Sequence, residues 1–401
     1  MGCGAAGMLA GIAASDSGLQ VGILDANPSP GRKLAATGSG RGNLTNLAVV
    51  SEAYDCARPD LLAEALSIFG PKRTRELFNQ LGIPTIATDD GWVYPLSGSA
   101  ANVVDTLFSH LIQRGISVRF HTLITNIQAT GDCFLLHTPD PDVAFASRRV
   151  IIAAGSPAYP QLGARDNLLN VLGGMGHTIH LFTPALAPIE LDRHPFQPLQ
   201  GTRVDAGVSI LVEGTTQASS FGNIIFNSWG INGPGVMNIS HHVHRYPGKR
   251  CQLSIDFLAR DEELLKQAYN QVRHSRLPVR VLFNGLFPAK IGQFLLQAQH
   301  LDGAVPVSDL GQKDFQALVD GCRDIRAKIK GTRNFKFSQL ATGGVPLDEV
   351  EASTMASRII PGLYLAGEIL DVVGPCGGYN LQWAFTSGYL AGKGAASIQT
   401  D

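Results

Sequence analysis

Residues 361–380 read Pro361-Gly-Leu-Tyr-Leu-Ala-Gly-Glu-Ile-Leu-Asp371, then Val372-Val373 and Gly374-Pro-Cys-Gly-Gly-Tyr-Asn380. The run 363–366 has the pattern of a short buried strand that ends at Gly367-Glu368, so a carboxylate is presented at the strand's carboxyl edge. The glycine-rich turn 374–378 leads into Tyr379-Asn-Leu-Gln-Trp-Ala-Phe385, a helix whose first amides lack intrahelical partners. Those amides and the helix dipole suit an electron-rich ligand edge. Strand, acid, glycine turn and helix start make half of a nucleotide cradle, although the same glycines would also serve simply to end a strand and open a helix.

The other half lies at the opposite end of the chain. Gly2-Cys-Gly-Ala-Ala-Gly7 precedes a helical pattern over 8–17, and Gly18-Leu-Gln-Val-Gly-Ile-Leu-Asp25 follows. This is the spacing of the dinucleotide fingerprint. Gly2 makes the tight turn, Gly4 lets backbone approach a pyrophosphate beside Ala5 and Ala6, and Gly7 lets the helix close on the sheet. Asp25, with Ala26 after it, stands where a carboxylate accepts from ribose hydroxyls. In the following segment Arg32, Lys33 and Arg41 can meet phosphate charge, and Gly38 and Gly40 allow close backbone approach. Arg149-Val-Ile-Ile-Ala-Ala-Gly155 reads as a buried parallel strand whose end, Ala154-Gly155, admits a ligand.

Gly31-Arg-Lys-Leu-Ala-Ala-Thr-Gly-Ser-Gly-Arg-Gly-Asn-Leu-Thr-Asn46 and Thr342-Gly-Gly-Val345, with both chain ends, resemble the BaiN-like, aminoacetone-oxidase-like family of FAD-dependent oxidoreductases. Asp90-Gly-Trp-Val-Tyr-Pro95, the 151–155 strand and Thr183-Pro-Ala-Leu-Ala-Pro188 fall in the family's order, so the resemblance spans nearly the whole chain. It implies an α/β fold: a Rossmann-like FAD-binding domain of the glutathione-reductase-like type, with a β-barrel and helical cap inserted. The expected division is 1–187 with 336–401 for the FAD-binding domain and 188–335 for the insert. The resemblance also carries cofactor contact to Arg41, Asn43 and Leu44, and lays backbone near Ile124 over the adenine. Three departures stand out: Arg41-Gly42-Asn43 replaces the family's Arg-Cys-Asn, Gly163-Ala-Arg-Asp-Asn-Leu168 replaces a Gly/Thr/Asp-rich turn, and no apolar strand precedes Gly2. The last predicts a truncated first strand with unpaired amides at the sheet's centre, so that either the start is internal to the reading frame or the chain folds and holds FAD badly.

A second acid-tipped strand and a second glycine-led helix favour FAD over NAD. Glu368 would accept from the ribityl or ribose chain. The amides of Tyr379, Asn380 and Leu381 would face the flavin N1–C2=O edge, where negative charge grows on reduction. The leading activity is two-electron transfer at N5, with NAD(P)H as a transient donor and a small enone-like acceptor. Oxidation of an amine of the aminoacetone type by O2, a tRNA-modifying flavoprotein, and a chain that holds flavin poorly are the alternatives. No catalytic side chain is assigned. Cys376 is a polarisable group in the loop, without a second cysteine close in sequence.

The 401 residues allow two or three domains, and a net charge of −1 gives no global field for nucleic acid or an anionic membrane. No apolar run approaches a membrane span and no signal peptide is expected. The six cysteines are scattered without a CxxC, which suits a reducing, cytoplasmic compartment. His241-His242-x-His244 reads as an exposed helix face rather than a metal site. Apolar spacing predicts helices over 60–115, and short strands at 117–120, 124–130 and 133–137 suggest one small sheet. Alternating runs at 204–212 and 251–257 predict the β part of the insert.

Overall fold

The computed structural model describes residues 1–397. The chain divides into two compact units, Met1–Ala185 with Phe335–Asp401, and Leu186–Asn334.

In the first unit two parallel strand pairs carry the nucleotide-type architecture. Gly22–Leu24 pairs with Ser117–Arg119, and Val150–Ile152 pairs with Leu363–Leu365. Leu363, Tyr364 and Leu365 are all buried, as expected where both faces of a parallel sheet are covered. Among the described residues no strand separates the two pairs; Met1 and Gly2 stitch them instead. Gly2 N donates to Leu24 O and Ala153 N to Met1 O, both at 2.8 Å, and the Met1 ammonium donates to Ile151 O at 2.6 Å.

The helices Ala5–Ser15 and Tyr379–Ser397 pack side by side because the second presents glycines. A Cβ on Gly388 would lie 2.3 Å from Ala6 O, and one on Gly392 2.4 Å from Ala10 O. The register 6 to 388 and 10 to 392 makes the helices parallel, so both point their amino ends the same way. The two ends of the sequence thus form one packed layer.

Ser117–Arg119, expected in a small local sheet, belongs to the parallel sheet. The helix Ala100–Gln113 returns the chain across the layer, as a parallel crossover requires. The local sheet is instead Asn126–Thr130, Cys133–His137 and Ala144–Ser147, all antiparallel. Asn167–Gly174 is a helix that sequence spacing did not single out. Farther along, His180–Ala185 pairs antiparallel with Leu340–Gly344.

The second unit is a closed six-stranded barrel in the order Ile189–Asp192, Gly230–Asn232, Thr215–Asn227, Arg203–Val212, Cys251–Asp256, Ile325–Thr332. Alternation sets its inside: Ala206, Val208 and Ile210 are buried, while Arg203 and Asp205 face solvent. Closure leaves no strand edge unpaired. The helices Glu262–Val272, Arg280–Leu286, Ala289–Ala298 and Gln312–Arg323 share its core with Phe226, Phe257 and Phe294. The histidine run lies on a 3-10 segment, Ser240–Arg245, and His244 Nε2 sits 2.6 Å from Thr332 Oγ1. Among the described residues no helix is long and apolar enough to cross a membrane.

Candidate functional site: a glycine cradle at two helix starts

The three fingerprint glycines do two different jobs. A Cβ on Gly2 would sit 2.3 Å from Ala153 O and one on Gly7 1.9 Å from Gly2 O, so both allow backbone segments to touch. A Cβ on Gly4 would meet nothing within 4 Å. Gly4 caps the helix, and its carbonyl accepts the first intrahelical bond, from Met8 N at 2.9 Å. The amides of Ala5, Ala6 and Gly7 precede that bond and remain for an anion.

Asp25 holds this loop closed. Its Oδ2 accepts from Cys3 N at 2.6 Å and its Oδ1 from Asn27 N at 2.7 Å. A carboxylate has about four acceptor directions, so both oxygens keep capacity for a hydroxyl. Ala26 beside it is half-buried. Burial and the nearby Asp25 charge push the Cys3 thiol up to about 12, which makes it a packing residue.

The basic segment is partly engaged within the protein. Lys33 Nζ reaches both Glu368 oxygens, at 2.7 and 2.6 Å, and Ser156 Oγ donates to Glu368 Oε2 at 2.6 Å. Arg32 lies 3.4 Å from Asn27 Oδ1, and the Arg41 guanidinium stands 4.4 Å from the Tyr94 ring centroid. Gly40 is exposed, with open space at its Cβ position. Asn43 is buried, and with its carboxamide turned so that nitrogen faces Val93 O and Thr45 O and oxygen faces Gly378 N it joins three segments. Leu44 is buried and donates its amide to Val93 O at 2.8 Å. Ile124 is buried too, and its carbonyl accepts from Asn167 Nδ2 at 2.8 Å. Ala154 and Gly155 follow the 150–152 strand, and Gly155 has φ +76° with open space beside it.

The closing motif builds the second helix start. Gly367 N donates to Ser387 Oγ at 2.9 Å, which fixes the turn that carries Glu368. Asn380 ties the glycine loop to itself, accepting from Gly374 N at 2.7 Å and donating to Gly374 O at 2.8 Å. Gly378 has φ +98°, and a Cβ there would lie 2.5 Å from the Thr45 backbone. The first helical bond is Gln382 N to Gly378 O at 2.9 Å, so the amides of Tyr379, Asn380 and Leu381 precede it. A Cβ on Gly377 would lie 3.3 Å from the Trp92 ring, which stacks 6.4 Å from Tyr94, so these aromatics wall the turn.

Two polar groups escaped the sequence reading. Gln382 is fully buried and accepts from Thr45 Oγ1 at 2.6 Å while donating to Thr74, Thr386 and Phe69 O; its signal is one amide inside an apolar helix. Asp371 accepts from Gly343 N at 2.8 Å and Thr342 Oγ1 at 3.1 Å, which explains why Thr342-Gly343-Gly344 stands there. Cys376 is half-buried, but crowding around its sulfur pushes the thiol up to about 12, so it is protonated at neutral pH and no ready nucleophile.

The parallel helices place their amino ends apart along one axis. Gly388 is level with Ala6, so Tyr379 leads Ala5 by eight residues, about 12 Å at 1.5 Å per residue. Two glycine-led helix starts on a parallel sheet, with an inserted barrel, are the architecture of a Rossmann-type nucleotide-binding fold. The chain belongs to the HI0933-like protein Rossmann domain family, whose model matches residues 1–394. It is 35% identical to a 3-dehydro-bile acid delta(4,6)-reductase of Clostridium scindens, over 99% of this chain and 98% of that protein. A ribosomal RNA dihydrouridine synthase of Escherichia coli is 30% identical over 98% of this chain and 96% of its own length. In fold the chain resembles a 3-ketosteroid delta1-dehydrogenase from Sterolibacterium denitrificans, with a TM-score of 0.53, 12% identity, and coverage of 99% of this chain and 98% of that one.

Proposed function

We propose that the first unit binds FAD and uses it for NAD(P)H-dependent reduction of a small conjugated enone. The observation that carries this is the pair of parallel helix starts, offset by about 12 Å along their common direction. One is suited to a pyrophosphate at Gly2, Gly4, Ala5, Ala6 and Gly7, the other to a ring at the far end of a ribityl chain. Open space at Gly4, Gly40 and Gly155 fits a bound dinucleotide. Asp25 and Ala26 would take the adenosine ribose, the backbone near Ile124 the adenine, and the Arg32–Leu44 segment with Ala154 the flanks. Gly367 and Glu368 would hold a ribityl hydroxyl, with Lys33 balancing the carboxylate charge.

When bound, FAD supplies two-electron transfer at N5. The amides of Tyr379, Asn380 and Leu381 would orient the N1–C2=O edge and stabilise negative charge there. The 35% identity to a bile acid delta(4,6)-reductase supports the enone class. The test is direct. Purified protein should absorb in the flavin bands, bleach when mixed with NADH or NADPH but not with aminoacetone, and recover its colour with an enone faster than with O2. Absence of flavin after reconstitution would defeat the reading.

A nucleic-acid substrate is the second reading. Residues 186–334 hold 17 Lys and Arg against 13 Asp and Glu, so the near-zero net charge of the chain conceals a basic insert. The Arg260 guanidinium lies 3.7 Å from the Phe221 ring centroid and Arg333 4.8 Å from that of Trp229, platforms on which bases stack. Salt-sensitive binding of ribosomal RNA would favour this reading.

A further inference from the structure

Asp371 lies three residues beyond Glu368 and three before Gly374, within about 11 Å of chain from each. Its carboxylate is clamped. Oδ1 accepts from Gly343 N at 2.8 Å and Thr342 Oγ1 at 3.1 Å, and the Asp371 amide donates to Val345 O at 2.9 Å. Oδ2 lies 2.9 Å from His180 Nδ1. The clamp needs two glycines. Gly343 and Gly344 have φ +102° and +106°, and a Cβ would lie 2.6 Å from Leu181 O at the first and 2.3 Å from Ile369 O at the second.

A clamped carboxylate is an acceptor, so His180 Nδ1 carries the hydrogen and Nε2 is the ring's free position. The imidazole is half-exposed at the first residue of the strand His180–Ala185, whose partner Leu340–Gly344 supplies the clamp. An oriented imidazole with an open Nε2, held by an Asp371 whose chain position falls between Glu368 and Gly374, has the form of an acid–base dyad.

We propose that His180 is the proton donor of enone reduction and that Asp371 is its positioning residue; this rests on the function proposed above. Bound, reduced FAD would supply a hydride to the β carbon of the C=C–C=O unit, and the π pair would move to give an enolate. The Nε2–H bond of the His180 imidazolium then breaks as a C–H bond forms at the α carbon. The ketone is restored, the neutral imidazole takes a proton from solvent, and NAD(P)H supplies the electron pair.

The experiment uses FAD-loaded protein, reduced anaerobically with NADPH and mixed with a 3-oxo-4,6-diene steroid acid. H180Q should keep its flavin content and its rate of bleaching by NADPH, while reoxidation by the enone slows 10²- to 10⁴-fold. D371N should slow reoxidation too. It should also shift neutral His180, in 15N spectra assigned by the signal lost in H180Q, from the Nδ1–H tautomer toward Nε2–H. If the reduced wild type is not reoxidised by the enone, the enone reading and the dyad both fall. If wild type and H180Q reoxidise within threefold of each other, the dyad falls and the reading stands. An unchanged His180 tautomer in D371N overturns the role of Asp371.

Discussion

Two histidine–carboxylate pairs begin three residues apart in the chain and have opposite fates. His177 Nδ1 lies 2.7 Å from Glu349 Oε2, and its Nε2 lies 3.0 Å from Ser357 Oγ, which also accepts from the amides of Ile359 and Ile360. The His177 side chain has 0% exposure and Glu349 17%. Both ring nitrogens are committed, so the acid–His–Ser order has no free position for chemistry. His180 meets Asp371 at a similar distance, but its side chain is 50% exposed and its second nitrogen is open. The same residue types make a staple where all hydrogen bonds close, and leave an accessible ring nitrogen where one does not.

The largest effect that tests this contrast is on stability. His177→Ala empties a buried position and takes one hydrogen-bond partner each from Glu349 and Ser357, and should cost about 1–3 kcal/mol. His180→Ala breaks an exposed pair and should cost less than about 1 kcal/mol. Denaturant titration of the two variants separates them, and equal losses would break the comparison.

The distinction between closed and open positions extends to the glycine loop. Gly4 has φ −85° and open space beside it, so Gly4→Val should fold normally. Its side chain would occupy the pyrophosphate space, and flavin content should fall about tenfold or more, a loss of ~1.4 kcal/mol in binding. Gly7→Ala drives a methyl into Gly2 O and should lower the melting temperature instead. Flavin absorbance and thermal melts read the two outcomes separately.

The smallest effect is a pH dependence of the closed pair. Burial alone would raise the Glu349 carboxyl, but hydrogen bonds from Thr178 and His177 outweigh it and hold the group below its ordinary range. A carboxylate depressed in the folded state stabilises at pH above its unfolded value of about 4.3, and that stabilisation is lost as pH falls through the folded value. Urea midpoints of wild type and E349Q should therefore differ at pH 6 and converge toward pH 3. A gap that stays constant would show that the carboxylate charge contributes nothing.

Charge is also distributed differently from what the total suggested. A net −1 argued against nucleic acid, yet the insert holds an excess of four basic residues. A sum over the chain cannot register that, because fields act locally, within about a Debye length of 8–10 Å.

The fold class was legible because its signals are local. Glycine spacing at 2, 4 and 7, the Gly367-Glu368 turn and the alternation in 204–212 each act on their own few residues. Sequence identified the helix start at Tyr379, but it began the first helix at residue 8, three residues after its observed start at Ala5. The separate roles of Gly4 and Gly7 were read from their places in the fingerprint, and the close approach of Gly2 O to Gly7 but not to Gly4 agrees with that reading. Pairing of Ser117–Arg119 with Gly22–Leu24 depended on a crossover, and the upward push on the Cys376 thiol on burial of its sulfur. The His180–Asp371 contact spans 191 residues and exists because one antiparallel pair and two left-handed glycines set its register. By itself the sequence determined where backbone could approach a ligand; tertiary structure decided which polar groups were sealed and which stayed open, because burial and hydrogen-bond closure depend on neighbours far along the chain.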